Sequence, residues 1–217
     1  MKKPKVIFLD AVGTLFGVKG SVGMVYSQIA QEFGVTVSPK ILNREFFKSF
    51  KAAPPPIFLD LDIYDIPQHE FDWWRIIVFN TFEGAGVIKE FQDFSAFFSE
   101  LYIHFGTAEP WFVYPDVPLA LVNWQRLGVE LGVLSNFDSR LYSVLDSLGL
   151  KQYFKSITIS TQVRTAKPDP KIFNIALQNH YCSAAEAWLI GASIADDYHG
   201  ARKAGLRGTW INRQNNY

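Results

Sequence analysis

Four consecutive apolar residues, Val6-Ile7-Phe8-Leu9, end at a carboxylate, Asp10, with the turn-former Gly13 close behind. A short continuous apolar run predicts a strand buried on both faces, and such strands belong in parallel sheets covered by helices. The same grammar returns late in the chain. Val129 to Leu134 ends in Ser135-Asn136, Ser156 to Ser160 is β-branched and apolar, Trp188 to Ile190 ends in Gly191-Ala192-Ser193, and Gly208 to Ile211 follows. Helical stretches separate these runs at Val117 to Leu127, Ser139 to Leu148, Asp169 to Gln178 and Asp196 to Ala204, two of them followed by the stop signals Gly149 and Gly205. Strand-helix alternation of this kind predicts an α/β fold built on a doubly wound parallel sheet. Ligands of such sheets lie outside the carboxyl ends of the strands, where this sequence places Asp10, Ser135, Asn136 and the Gly191-Ala192-Ser193 turn.

The alternation breaks between about Gly17 and Val113. There the spacing of Phe91, Phe94, Phe97, Phe98 and Leu101 approaches the helical period, and Pro54-Pro55-Pro56 interrupts the pattern. This stretch holds 20 of the chain's 34 aromatic residues. It reads as a helical insertion whose rings, Trp73 and Trp74 included, mainly pack a small core. The expected organisation is therefore an α/β core from 1–16 and 114–217 with a helical unit at 17–113.

Charge narrows the function classes. The 21 basic and 21 acidic residues cancel, so the chain lacks the positive field that nucleic-acid backbones demand. One cysteine, Cys182, cannot form an internal disulfide, and the four histidines, His69, His104, His180 and His199, show no ligand spacing. The apolar start is far shorter than a signal-peptide core, and no run approaches membrane-spanning length. A cytoplasmic protein without membrane or nucleic-acid partners is the expectation.

Four segments carry residues suited to chemistry. Asp10, projecting from a strand end, suits a carboxylate nucleophile that forms and then releases a covalent ester, although an aspartate there also caps turns. Ser135 and Asn136 could hydrogen-bond anionic oxygens of a substrate or simply build a turn. Lys167, ahead of Pro168-Asp169-Pro170, could hold a carboxylate and offset developing negative charge, or lie solvated on the surface. Asp169 reads as a helix N-cap with Pro170 at the first helical position. Gly191-Ala192-Ser193-Ile194-Ala195-Asp196-Asp197 leads into Gly200-Ala201-Arg202-Lys203-Ala204-Gly205, a helix start that would bring an acid toward Asp10.

Taken together, these segments resemble the haloacid dehalogenase (HAD) superfamily. Its pattern is a nucleophilic aspartate after the first strand, a serine or threonine after the second, a lysine before a Pro-Asp-Pro turn, and an acidic loop running into Gly-Ala-x-x-Ala-Gly. The match spans residues 5–16 and 115–212. The resemblance implies Asp10, Lys167 and Asp197 as catalytic residues, and Thr14, Ser135, Asn136 and Ser193 as substrate-binding residues. It also implies Asp10 and Asp197 as ligands of a weakened Mg²⁺ site, and the helical insertion as a cap over a small anionic substrate.

Two departures from the family's phosphatases stand out. Val12 occupies the position of the aspartate that protonates the leaving group and later activates water, and Ala192 that of an aspartate that binds Mg²⁺. Metal-free 2-haloacid dehalogenases share both departures, but Ile194 and Phe173 differ from that branch, and Arg44 is only a candidate for its halide-binding arginine. The sequence thus supports a hydrolase of weakened or altered activity acting through Asp10. The alternatives are a metal-independent dehalogenase-like enzyme and a catalytically inactive protein that binds a partner, or its own copy, through the aromatic insertion.

Overall fold

The structure, a computed structural model, describes residues 3–213. Five strands make its principal sheet: β1 (Val6–Leu9), β4 (Glu130–Ser135), β5 (Ser156–Ile159), β6 (Ala187–Gly191) and β7 (Arg207–Trp210). They run parallel in the order β5-β4-β1-β6-β7. All five strands expected from the sequence are present, with ends shifted by a residue or so. Ser160, expected to end β5, instead begins the short helix α7 (Ser160–Val163).

The first strand lies centrally, pairing with β4 on one side and β6 on the other. All four of its side chains are buried, and they divide between two apolar clusters, one on each face of the sheet. Helices α5 (Val117–Arg126) and α6 (Leu141–Ser147) cover the face beneath Ile7 and Leu9, and α8 (Pro170–Gln178) packs under Val6 and Phe8. The start of α8 follows its sequence signal: the Asp169 carboxylate accepts the Lys171 N–H at 2.9 Å, and Pro170 sits at the first helical position.

A second layer contains α1 (Val22–Glu32), α2 (Pro39–Ala52), α3 (Ile66–Gly84) and α4 (Phe94–His104), around an apolar cluster of its own. The rings of Phe82, Phe91 and Phe97 meet at centroid distances of 4.4 to 5.1 Å, so most aromatics here pack a core, in line with their spacing. The triproline run lies between α2 and α3, where neither helix continues.

One feature of this region lies outside the helical pattern read from the sequence. Strand β2 (Phe16–Val18) enters the layer and β3 (Trp111–Val113) leaves it, and the two pair antiparallel in a separate ribbon. Three residues per strand are too few to show alternation, which is why the sequence does not reveal them. The junctions expected at 16/17 and 113/114 fall in and at the end of this ribbon.

At the amino ends of β4 and β5 a polar clamp joins the strands to the segment after α8. His180 is buried. Its Nδ1 lies 2.6 Å from Glu130 Oε2, its Nε2 lies 2.8 Å from Ser156 Oγ, and Lys155 donates to the other Glu130 oxygen at 2.7 Å. Burial lowers the His180 pKa, more than the neighbouring carboxylate raises it. A neutral ring satisfies both contacts, donating to Glu130 and accepting from Ser156.

Since the folded-state pKa is below the unfolded one, the unfolded chain takes up a proton first as pH falls. Stability is therefore full above about pH 6.5 and declines below it. In urea titrations, His180→Ala should cost about 1–3 kcal/mol near pH 7.5 and should remove this histidine's share of the acid-side decline.

Candidate active site

The carboxyl ends of β1, β4 and β6 converge on one buried cation. Lys167 is buried; its ammonium donates to Asp10 Oδ1 at 2.8 Å, to Asp197 Oδ1 at 2.5 Å and to the Leu134 carbonyl at 2.9 Å. These are three acceptors for three N–H donors, so the cation is completely satisfied. Burial alone would lower its pKa, but Asp10 and Asp197 outweigh that effect and the pKa is raised, keeping the ammonium charged. Burial raises the Asp197 carboxyl, against the pull of Lys167 and with the repulsion of Asp10.

Asp10 receives a second bond, from Ser135 Oγ at 2.9 Å on the same oxygen. Its other oxygen has no hydrogen-bond donor among the described residues, and the side chain, 15% exposed, lines the main cavity. Asp197 is held at both oxygens: Oδ1 accepts from Lys167 and Oδ2 accepts the Ser193 N–H at 2.8 Å. It stands on a six-residue π-helix, Ile194–His199, a form of turn that often marks functional sites. Gly191 admits it, because a Cβ there would lie 2.2 Å from the Asp197 carboxyl carbon.

The structure thus gathers Asp10, Ser135, Lys167 and Asp197, and it gives the smaller residues Asn136 and Ser193 their own partners. Asn136 lines the cavity with its amide bonded to the lysine segment. Its oxygen accepts the Lys167 N–H at 2.8 Å and its nitrogen donates to the Lys167 carbonyl at 2.9 Å, fixing the lysine's backbone. The Ser193 hydroxyl is spent on Asp196 within its own loop. Thr14 is buried and does not line the cavity, because the turn at Gly13, with φ near +80°, carries it inward. Arg44 also lies off the cavity, paired with Glu45 at 2.9 Å on the surface of α2.

Val12 does line the cavity and is 38% exposed, an apolar side chain beside Asp10. Ala192 packs toward Gly13, where an added Cβ would lie 3.1 Å from its own. Magnesium needs several oxygen donors: Asp10 offers one open carboxylate oxygen, each Asp197 oxygen already carries one hydrogen bond, the Asp196 carboxylate lines the same cavity, and Val12 and Ala192 carry no ligating side chain. Among the described residues, no group of three or more His, Cys, Asp or Glu side chains is arranged to hold a metal.

A second cluster, invisible in the sequence, joins the two layers over the cavity. Arg140 binds Asp138 through two guanidinium nitrogens, at 2.8 and 2.7 Å, and lies over the Tyr102 ring at 3.9 Å. Trp74 of α3 donates its indole N–H to Asp138 at 2.7 Å. Glu70, on the same helix, accepts the Ser139 N–H at 3.0 Å and its hydroxyl, and burial pushes its carboxyl upward. No motif links residues so far apart in sequence. The nearest signal is that Asp138, Ser139 and Arg140 follow closely on the strand-end pair Ser135-Asn136.

The sequence model of the haloacid dehalogenase-like hydrolases matches residues 4–205. The chain belongs to that family. It is 33% identical to haloacid dehalogenase-like hydrolase domain-containing protein 3 of Danio rerio over 210 residues, covering 96% of this chain and 85% of that one. The fold is shared with a solved dehalogenase (TM-score 0.72, 20% identity, 100% of this chain and 88% of that one). It is shared also with a HAD phosphatase of Thermococcus onnurineus (TM-score 0.64, 22% identity, 98% and 88%). These two proteins differ in name and share the architecture, so the architecture alone does not fix the chemistry. No helix among the described residues is long and apolar enough to cross a membrane.

Removing the central cation would leave two buried carboxylates facing each other. Lys167→Met should therefore cost about 3–5 kcal/mol in chemical denaturation, and adding Asp197→Asn should recover a substantial part of the loss. An equal loss in single and double variants would show that repulsion between the carboxylates is not the cause.

Proposed function

We propose that the chain is a hydrolase in which Asp10 is the nucleophile, with activity altered from that of the family's phosphatases. The open oxygen of Asp10, facing the cavity while its partner oxygen is held by Lys167 and Ser135, is the observation that carries this reading. Pinning one oxygen orients the other for attack, and a fixed cation beside it offsets charge that develops on the substrate. In the first step the open oxygen bonds to the electrophilic centre, and the leaving group departs with the bonding electron pair. Water then cleaves the resulting ester, restoring the carboxylate and releasing the product with a proton.

Helices α1 to α4 act as the cap, excluding water from this step, with Glu70, Trp74, Asp138 and Arg140 fastening them to the loop after β4. Asp197 and Asn136 are positioning residues that act through Lys167. Lacking a proton donor at position 12, the site favours substrates whose leaving group is stable as an anion. Attack on carbon with release of halide meets that condition. This second reading is supported by Val12 and Ala192, which stand where the phosphatase pattern has aspartates.

The test is turnover of p-nitrophenyl phosphate and of 2-chloropropionate, each with and without Mg²⁺. Whichever substrate is turned over, Asp10→Asn should lower the rate by about 10³-fold or more. Turnover indifferent to that change would remove Asp10 as nucleophile, and its absence on both substrates would favour the partner-binding alternative. Installing Val12→Asp with Ala192→Asp should create Mg²⁺-dependent phosphatase activity, because the first supplies the missing proton donor and the second a metal ligand.

A further inference from the structure

The cavity above Asp10 has a volume of about 820 Å³, the range of sites that enclose drug-sized ligands and far beyond what a chloropropionate or a phosphate ion would fill. Its wall is aromatic. Phe46, Phe50 and Trp74 form a near-parallel series, with centroids 5.7 and 5.8 Å apart and planes 23° apart in each pair, and Trp73 stands perpendicular to Trp74 at 4.9 Å.

Phe46 is buried in the helical core, but the other three rings are not simply core. Phe50 is 43% exposed, and both tryptophans are half-buried, unlike Phe82 and Phe97. Nor are their polar edges free, since Trp73 donates to the Pro54 carbonyl at 2.8 Å and Trp74 to Asp138. What the wall offers a ligand is ring faces, held in place at their edges.

Charge and chemistry restrict the ligand further. Five carboxylates line the cavity, Asp10, Glu70, Asp138, Asp196 and Asp197, against two cations, Lys167 and Arg140, and both cations are already paired within the protein. The group that Asp10 attacks would lie beside the Lys167 charge, whereas a second anionic group farther out on the substrate would meet acids and an Arg140 already paired with Asp138. Beside the nucleophile, Val12 can protonate nothing. An alkoxide, conjugate to a hydroxyl with a pKa near that of water at about 15.7, leaves poorly without a proton, whereas a phenolate, with a pKa of about 10, leaves well.

Resting on the Asp10 reading above, we infer that the substrate is an aryl ester. Its uncharged ring system seats against Phe46, Phe50, Trp73 and Trp74 and departs as the aryl oxide when Asp10 takes up the group it carried. For an aryl phosphate, the Asp10 oxygen bonds to phosphorus as the bond from phosphorus to the aryl oxygen breaks. The electron pair leaves on the aryl oxide, which solvent protonates, and water returns Asp10 and inorganic phosphate.

The test compares 1-naphthyl phosphate, phenyl phosphate, 4-carboxyphenyl phosphate and methyl phosphate on the full chain. Binding is measured by calorimetry on Asp10→Asn, and turnover on the natural sequence and on Phe50→Ala. We expect 1-naphthyl phosphate to bind about tenfold or more tighter than methyl phosphate, from the apolar area it buries. The 4-carboxyphenyl ester should bind more weakly than the phenyl ester. Phe50→Ala, at a half-exposed position, should raise KM for the naphthyl ester several-fold.

Equal binding of naphthyl and methyl esters, or Asp10-dependent turnover that ignores the ring, would overturn the inference while leaving the nucleophile in place. Tight ring-selective binding without turnover of any ester would sink the nucleophile reading and the departure step, while upholding the aromatic seat.

Discussion

An ammonium group sealed from water between two carboxylates organises this molecule. A buried charge is tolerable only when its donors are filled, and Lys167 fills all three, with Asp10, Asp197 and the Leu134 carbonyl. Those acceptors come from the ends of β1 and β4 and from the π-helix after β6, so the cation ties together segments that meet only because the sheet is parallel and ordered as it is. Around it the small polar residues serve the charges. Ser135 steadies Asp10, Asn136 steadies the lysine backbone, and the Ser193 amide steadies Asp197. The result is a carboxylate, the proposed nucleophile, constrained on one oxygen and open on the other.

The helical layer contributes the opposite chemistry. Its interior is a dense aromatic core, but the rings along one side face the cavity, and their polar edges are tied down by backbone and carboxylate acceptors. The Asp138–Arg140 pair holds charge in a buried place without offering it to a ligand, because each partner saturates the other. The cavity therefore combines a charged floor with apolar walls, a pairing that favours substrates of two-part character.

Much of this architecture is legible in the residues alone. Runs such as Val6–Leu9 announce buried parallel strands because an unbroken apolar stretch of that length leaves no face for water, and Asp169-Pro170 announces a helix start through local capping chemistry. The four-residue constellation at the site is readable because it lies at strand ends, where topology alone brings residues together. The roles of Thr14, Asn136 and Ser193 are not, since a side chain's direction at a turn depends on neighbours distant in sequence. Glu70 meeting Ser139, and Trp74 meeting Asp138, leave no trace of periodicity at all. The β2–β3 ribbon escapes because three residues are too short to establish a pattern.

That ribbon governs how the two layers are joined. The chain enters the helical layer through Phe16–Val18 and returns through Trp111–Val113, so both covalent passages run side by side at one seam, and the other ties between the layers, such as Glu70 to Ser139 and Trp74 to Asp138, are side-chain contacts. An attachment of that kind separates two design problems. The helices and their aromatic lining can be exchanged, enlarged or reshaped without disturbing strand order, while the strand ends keep their charged geometry whatever is hung above them.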